Sequence, residues 1–213
     1  MMSLDNLRVI SSNTPSRLSK SDIGFLVLFI YLFIFTAIRY MVGWDYIHYY
    51  DAVRYNIDNN IVSRGEALTV FIVELSRYFK SPLLYFSINA FIFYFSLYFF
   101  IKKFSADHWL SLLLFISFPL FFLNSLSVVR IFTAIALVLY AYNFLVERKF
   151  FRYILIVIIA SMFHKSALFS LTFLIFSSLQ ISSIVWFVAL AASPFLAKYV
   201  LPLISSFILP VYL

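Results

Sequence analysis

Apolar runs of about helical length alternate with short charged or polar segments along the chain. The first run, Gly24–Val42, is long enough to cross a bilayer, whose hydrocarbon core is roughly 30 Å thick and needs about 20 helical residues. A polar, Tyr-rich stretch follows over residues 43–64. From Glu66 to Phe79, the residues Leu68, Phe71, Ile72, Leu75 and Phe79 recur near helical spacing, with Glu66, Glu74 and Arg77 interspersed. This spacing predicts an amphipathic helix that lies at the interface or re-enters the membrane. Further spans are expected at Pro82–Ile101, Trp109–Leu123 and Arg130–Val146, closed respectively by Lys102-Lys103, by Asn124-Ser125-Leu126-Ser127 and by Glu147-Arg148-Lys149 with Arg152. Ile184–Val200 and a short apolar tail end the chain.

Between them, Tyr153–Leu179 is a run of 27 residues interrupted in its middle by His164-Lys165. A continuous helix of that length would be about 40 Å long. It would also hold a lysine at mid-membrane, at a cost of about 2.5 kcal/mol or more. A break at His164-Lys165 is therefore predicted. The first half, even started at Glu147, reaches only about 25 Å, which places His164 below the outer headgroup plane in a protein-lined cavity. Arg130 stands about 25 Å up its helix from Val146 and falls at similar depth. Broken helices are tolerated at that depth where they line a wet cavity.

Composition agrees with this pattern. Hydrophobic residues make up 64% of the chain and charged residues 12%, against about 25% charged in soluble domains. The expected fold is all-α: a polytopic integral membrane protein with about seven transmembrane helices, some short or broken, and one amphipathic interfacial helix. Residues 1–22 are expected to form a cytoplasmic N-terminal segment without a cleaved leader. Residues 23–213 are expected to form a single transmembrane domain with an outer-face loop over 43–81. The absence of cysteine excludes thiolate catalysis and Cys-based metal sites. The formal charge of +7 does not point to nucleic acid, because Lys and Arg cluster in short loops as topology signals do.

With the N-terminus in the cytoplasm, the compact basic clusters Arg8/Arg17/Lys20, Lys102/Lys103 and Arg148/Lys149/Arg152 all fall inside. Arg39, Arg54, Arg64, Arg77, Lys80, Arg130 and Lys165 then fall outside. Cations that topology does not require usually answer to something anionic.

Several residues are candidates for chemistry, each with a plainer alternative. Arg130 either snorkels to headgroups or offers a guanidinium fork to phosphate. His164 could act as a base near neutral pH, and Lys165 could neutralise a phosphate, or both could be ordinary turn residues. Trp44, Tyr46, Tyr49, Tyr50 and Tyr55 fit an interfacial aromatic belt. With Asp45 they equally resemble a carbohydrate subsite. Glu66 is either a charge at a helix N-terminus or a general base. No glycine-rich phosphate loop, no H-E-x-x-H zinc motif and no G-x-S-x-G elbow occurs, so nucleotide-driven transport and metal-dependent hydrolysis are not expected.

Three segments resemble, in order, the motifs of the EpsG-type, Wzy-like bacterial polysaccharide polymerases of O-antigen, capsule or exopolysaccharide synthesis. Arg39-Tyr40-Met41-Val42-Gly43-Trp44-Asp45-Tyr46-Ile47-His48-Tyr49 is similar to the family's R-x-x-x-G-x-D-Y-x-x-Y. Gly65-Glu66 before an amphipathic helix is the second. Asn124 through Arg130, and on to Ala160-Ser161-Met162-Phe163-His164-Lys165-Ser166-Ala167, resembles an "I-R-Q" helix start and an "A-x-x-F-H-x-S-A" block. Ile131 stands where the family usually has Gln. Family members commonly run longer, so the resemblance implies a truncated or minimal member.

The resemblance implies a GT-C-like fold and glycosyl transfer at the outer face of the bacterial inner membrane. It implies an undecaprenyl-diphosphate-linked glycan as donor and a lipid-linked repeat unit as acceptor, without cofactor or metal. Arg130 and Arg39 would bind the diphosphate with Lys165 in support. His164 would be the base, with Asp45 and Glu66 as the other candidates, and Tyr46 and Tyr49 would line the sugar path. The implied partners are the lipid bilayer, a flippase and chain-length regulator proteins. Competing readings are a lipid-linked glycan transporter, a membrane acyltransferase of surface glycans, and a non-catalytic subunit of an export complex.

Overall fold

The computed structural model describes residues 20–57 and 65–178, together with positions 188, 191–194 and 198. The described residues are helical, with no strand among them. Helices α1 (Lys20–Ala37), α2 (Tyr46–Arg54), α3 (Ala67–Tyr78), α4 (Pro82–Phe104), α5 (His108–Ser117), α6 (Phe122–Ser127), α7 (Val129–Val146) and α8 (Phe150–Ser161) precede a 3-10 helix, Lys165–Leu171. Together they form a unit that ends at Leu171, and a separate unit starting at Thr172 opens with helix α9 (Thr172–Ser178). The predicted span Ile184–Val200 lies largely outside the described residues.

Helices α4 and α7 are long and apolar enough to cross a membrane, while α1, α5 and α8 are shorter apolar helices. The predicted third span differs most from the sequence expectation. Instead of one helix over Trp109–Leu123, α5 stops at Ser117 and α6 starts at Phe122. Pro119 is the cause: the residue before a proline is pushed into extended backbone, and Phe118 is found at φ −86°, ψ 112°.

The helices pack in a row in which α1 lies on α4, α4 on α7 and α7 on α8. The contact surfaces combine large rings with small residues. Ala134, Ala136, Ala141 and Ala160 are at most 2% exposed, and small side chains let helix backbones approach closely in lipid. Phe25, Phe29, Leu32, Phe93, Tyr94 and Leu97 fill the space between α1 and α4. Two buried polar links cross the row. Thr36 bonds the Tyr94 hydroxyl at 2.9 Å, and the Thr133 hydroxyl donates to Asn89 Oδ1 at 3.2 Å. Such interhelical bonds contribute on average about 0.6 kcal/mol each in a bilayer. Outward, Ile23, Val27, Ile30 and Ile34 leave a large apolar face of α1 exposed, as Phe151, Leu155 and Ile158 do on α8.

Ion pairs bring two of the basic clusters, Lys102/Lys103 and Arg148/Lys149/Arg152, to one end of this row. Asp22 at the start of α1 pairs with Lys102 near the end of α4. Glu147 at the end of α7 takes Lys103 and, at 2.7 Å, Lys149. Together Lys103 and Lys149 hold the Glu147 carboxyl well below its usual range, at about 2.

Candidate functional site

The site lies toward the other end of the row, where α7 begins and α8 stops. Helix α8 ends at Ser161, Met162 and Phe163 turn, and the chain resumes at Lys165 as the 3-10 helix. The predicted break is therefore observed. A broken helix leaves carbonyls without partners, and the first turn of α3 supplies donors to them. Leu68 N–H donates to the Met162 carbonyl at 3.0 Å, and the Thr69 hydroxyl donates to the Phe163 carbonyl at 3.2 Å. This mutual satisfaction of two helix ends sets the residue before α3, Glu66, beside His164.

Glu66 stands at the N-cap position of α3, yet its side chain makes no capping bond. Its carboxylate turns inward and is 3% exposed. Oε2 accepts from Arg130 Nη1, and Oε1 lies 2.8 Å from His164 Nδ1. A buried carboxylate is costly unless paired and hydrogen-bonded, and each of its oxygens has a partner. Arg130 benefits equally. It sits in the first turn of α7, where the helix dipole disfavours a cation, and the Glu66 charge offsets that. Its guanidinium also lies over the Tyr49 ring, 5.7 Å from the centroid, a cation–π contact.

Arg39, just beyond α1, is buried with its guanidinium 4.9 Å from the Phe86 ring centroid. Its Nε and Nη1 have no hydrogen-bond partner among the described residues. It borders a small cavity of about 10 Å3, room for a single water centre, lined by Thr36, Asn89, Ser125 and Thr133 and by apolar residues such as Phe86 and Phe93. Gly43 fixes this region. Its φ is +98°, and a Cβ there would stand 2.1 Å from the Leu126 carbonyl oxygen. Asp45 N–H then donates to the Ser127 carbonyl at 3.1 Å. The R-x-x-x-G-x-D segment is thus pinned to the turn that leads into Arg130.

The predicted site residues fall into four groups. Glu66, Arg130 and His164 are in direct contact. Lys165 is exposed on the same rim, its Nζ 3.7 Å from where a Cβ on Gly65 would stand, whereas Arg39 and Asp45 belong to the neighbouring Gly43 turn. Tyr46 and Tyr49 are 4% and 2% exposed, and each is stacked on a ring of α4: Tyr46 on Phe86 at 4.6 Å and Tyr49 on Tyr85 at 4.4 Å. Both tyrosines are thus core residues of this end, and their faces are taken up by packing. Burial raises both hydroxyls above their usual range. The exposed rings of the segment are Tyr40, Trp44 and Tyr55.

Two residues beside the site are absent from the sequence-based candidates. Asn89 and Thr133 are 1% exposed and bond each other across α4 and α7, Thr133 in the turn after Arg130. The available signal is an Asn inside an apolar span, where an unsatisfied amide is expensive.

The EpsG family model matches residues 22–213. No curated protein and no solved structure matches the chain. This match and the apolar helices support a membrane protein of polysaccharide biosynthesis. With the model covering nearly all of the sequence, the chain belongs to the EpsG family.

Proposed function

We propose that this protein is a membrane glycosyltransferase that polymerises undecaprenyl-diphosphate-linked repeat units at the outer face of the bacterial inner membrane, its N-terminus in the cytoplasm. The observation that carries the reading is the sharing of one buried carboxylate, Glu66, between Arg130 and His164. A base oriented by a third group is the geometry expected of an activated acceptor hydroxyl.

Facing a carboxylate oxygen, His164 Nδ1 carries the proton and donates it, which leaves Nε2 as the acceptor. In the transfer, the acceptor hydroxyl oxygen bonds to the anomeric carbon of the donor glycan as the bond from that carbon to the diphosphate oxygen breaks. The hydroxyl proton goes to Nε2, and undecaprenyl diphosphate leaves with the bonding electrons. Glu66 stabilises the imidazolium that forms, and Arg130, bonded to its other oxygen, holds the carboxylate in place. This arrangement revises the division of labour: Arg130 acts on the carboxylate, and the exposed Lys165 is the cation that meets the diphosphate. Arg39, with two donor nitrogens uncommitted, adds positive potential behind it. Asp45 then serves the Gly43 turn and is not the base.

Purified protein incubated with a lipid-linked repeat unit tests this reading. Wild-type should lengthen the glycan and His164→Ala should not. A polymer ladder of wild-type length from His164→Ala would overturn the assignment, and a wild-type protein that moves the lipid without lengthening the glycan would favour a transporter.

A further inference from the structure

The cations Arg54, Arg77 and Lys80 have no part in the site above, yet the fold gathers them. Helix α2 ends at Arg54 and α3 ends at Tyr78, and the two ends meet. Arg77 Nε donates to the Ala52 carbonyl at 2.7 Å, and its Nη1 pairs with Glu74. Around this fixed guanidinium lies an open pocket of about 610 Å3 lined by Val53, Arg54, Asn56, Glu74, Tyr78 and Lys80 as well as Arg77. That volume falls in the range of small-molecule sites, about 300–1,000 Å3.

Helix dipoles account for part of the charge. Each helix C-terminus carries roughly half a negative charge, and Glu74 adds one more. Three cations still leave an excess of about one positive charge. The rim is also held in an uncommon conformation. Asn56 and Lys80 follow the two helix ends with φ of 58° and 50°. Asn takes this left-handed conformation readily, whereas for Lys it is strained. From the pocket to Glu66, α3 forms a straight spacer about 15–17 Å long.

We propose that this pocket binds an acidic sugar of the glycan, one carrying a carboxylate or a similar anionic substituent, while another part of the same chain is at Glu66 and His164. The inference rests on the glycan-polymerising reading and names a feature of its substrate. Arg54 and Lys80 meet the anionic group, Glu74 and Asn56 accept from sugar hydroxyls, and the exposed Tyr78 offers a ring face. A lipid phosphate would need donors alone and far less space. Both hydroxyl acceptors and cations are present, which favours the sugar.

The test uses the full chain in nanodiscs, titrated with trigalacturonate and with maltotriose as the neutral control. Trigalacturonate should bind, more weakly as salt rises, and maltotriose should not. Arg54→Gln with Lys80→Gln should weaken trigalacturonate binding by about tenfold or more, while Arg54→Lys with Lys80→Arg keeps it and shows that the fold is intact. Equal binding of the two sugars, or no effect of the Gln pair, overturns the proposal. Binding abolished when phosphatidylglycerol replaces phosphatidylcholine would mean a lipid headgroup site instead, which also overturns it. His164→Ala should bind trigalacturonate like wild-type. If the wild-type protein binds it but never lengthens a glycan, the polymerase reading fails and the pocket assignment stands. If it polymerises without binding, only the pocket assignment falls.

Discussion

Glu66 and His164, separated by 98 positions in the chain, meet through a 2.8 Å contact between Oε1 and Nδ1. Arg130 holds the other oxygen of the same carboxylate. The contact depends on two incomplete helix ends, because the start of α3 donates to the carbonyls that the end of α8 leaves open. The cost of unpaired backbone groups therefore shapes the chemistry here.

Removing one member of the buried pair should cost more than removing both. Glu66→Gln leaves the Arg130 guanidinium buried without its counter-charge, a loss of about 3–5 kcal/mol for comparable pairs. Combining Glu66→Gln with Arg130→Met should recover much of that stability and none of the polymerising activity. A double-mutant cycle on thermal unfolding measures the coupling. Additive losses would mean that the two side chains do not interact.

His164→Gln separates the chemical role from the structural one. His164 is only partly buried, its side chain 26% exposed, so stability should change little. Turnover should fall by about 10²–10⁴-fold, the usual contribution of a positioned base, with substrate retention in a pull-down unchanged. Loss of binding together with turnover would make His164 a binding residue only.

Much of this site was legible in the sequence because charge in an apolar run is expensive. The span lengths placed the helix break at His164-Lys165 and put Arg130 at the same level. Hydropathy could not show that Glu66 joins them, because α3 meets α8 through backbone carbonyls, which carry no sequence signature. For the same reason the apolar pattern of α3 does not by itself mark the face that packs. Phe71 and Phe79 face outward, and the buried positions are Thr69, Ile72, Val73 and Ser76, the face that packs on neighbouring helices. Likewise Tyr46 and Tyr49 read as sugar-facing rings because nothing local tells that α4 provides rings to stack on them.

The two site-proximal glycines should respond differently to Ala. At Gly43 a methyl group would collide with backbone, 2.1 Å from the Leu126 oxygen, at φ +98°. Backbone cannot yield cheaply, so Gly43→Ala should destabilise by well over about 2 kcal/mol and lower the yield of folded protein. At Gly65 the nearest atom is the flexible Lys165 Nζ at 3.7 Å, and φ is +65°. Only the left-handed penalty of about 1–2 kcal/mol applies there. Thermal melts of the two variants should preserve this order.

At the opposite end, Glu147 predicts a pH dependence. Its folded-state carboxyl sits near 2 against an ordinary 4.5, so the unfolded chain binds the proton first as pH falls. The stabilisation from Lys103 and Lys149 is present above about 4.5 and is lost as pH drops toward 2. The carboxylate is 37% exposed, so solvent screening limits the effect to below about 1 kcal/mol. Melting temperatures of wild-type and Glu147→Gln should therefore converge on acidification through that window. A gap that stays constant would contradict it.

Arg39 gives the sharpest separation of stability from function. Its Nε and Nη1 are buried without hydrogen-bond partners, and uncompensated donors of a buried charge oppose folding. Its aliphatic stem and the Phe86 face need only an apolar side chain of similar length, so Arg39→Met should pack acceptably and relieve the unpaired charge. The melting temperature should rise, by about 2–4 °C for each 1 kcal/mol gained in a chain of this size. If Arg39 contributes potential to the diphosphate, the same variant should bind undecaprenyl diphosphate about tenfold more weakly and polymerise more slowly. A stabilised variant with undiminished binding would assign Arg39 to packing alone, and a destabilised one would show that its guanidinium is held by the fold and not kept for a ligand.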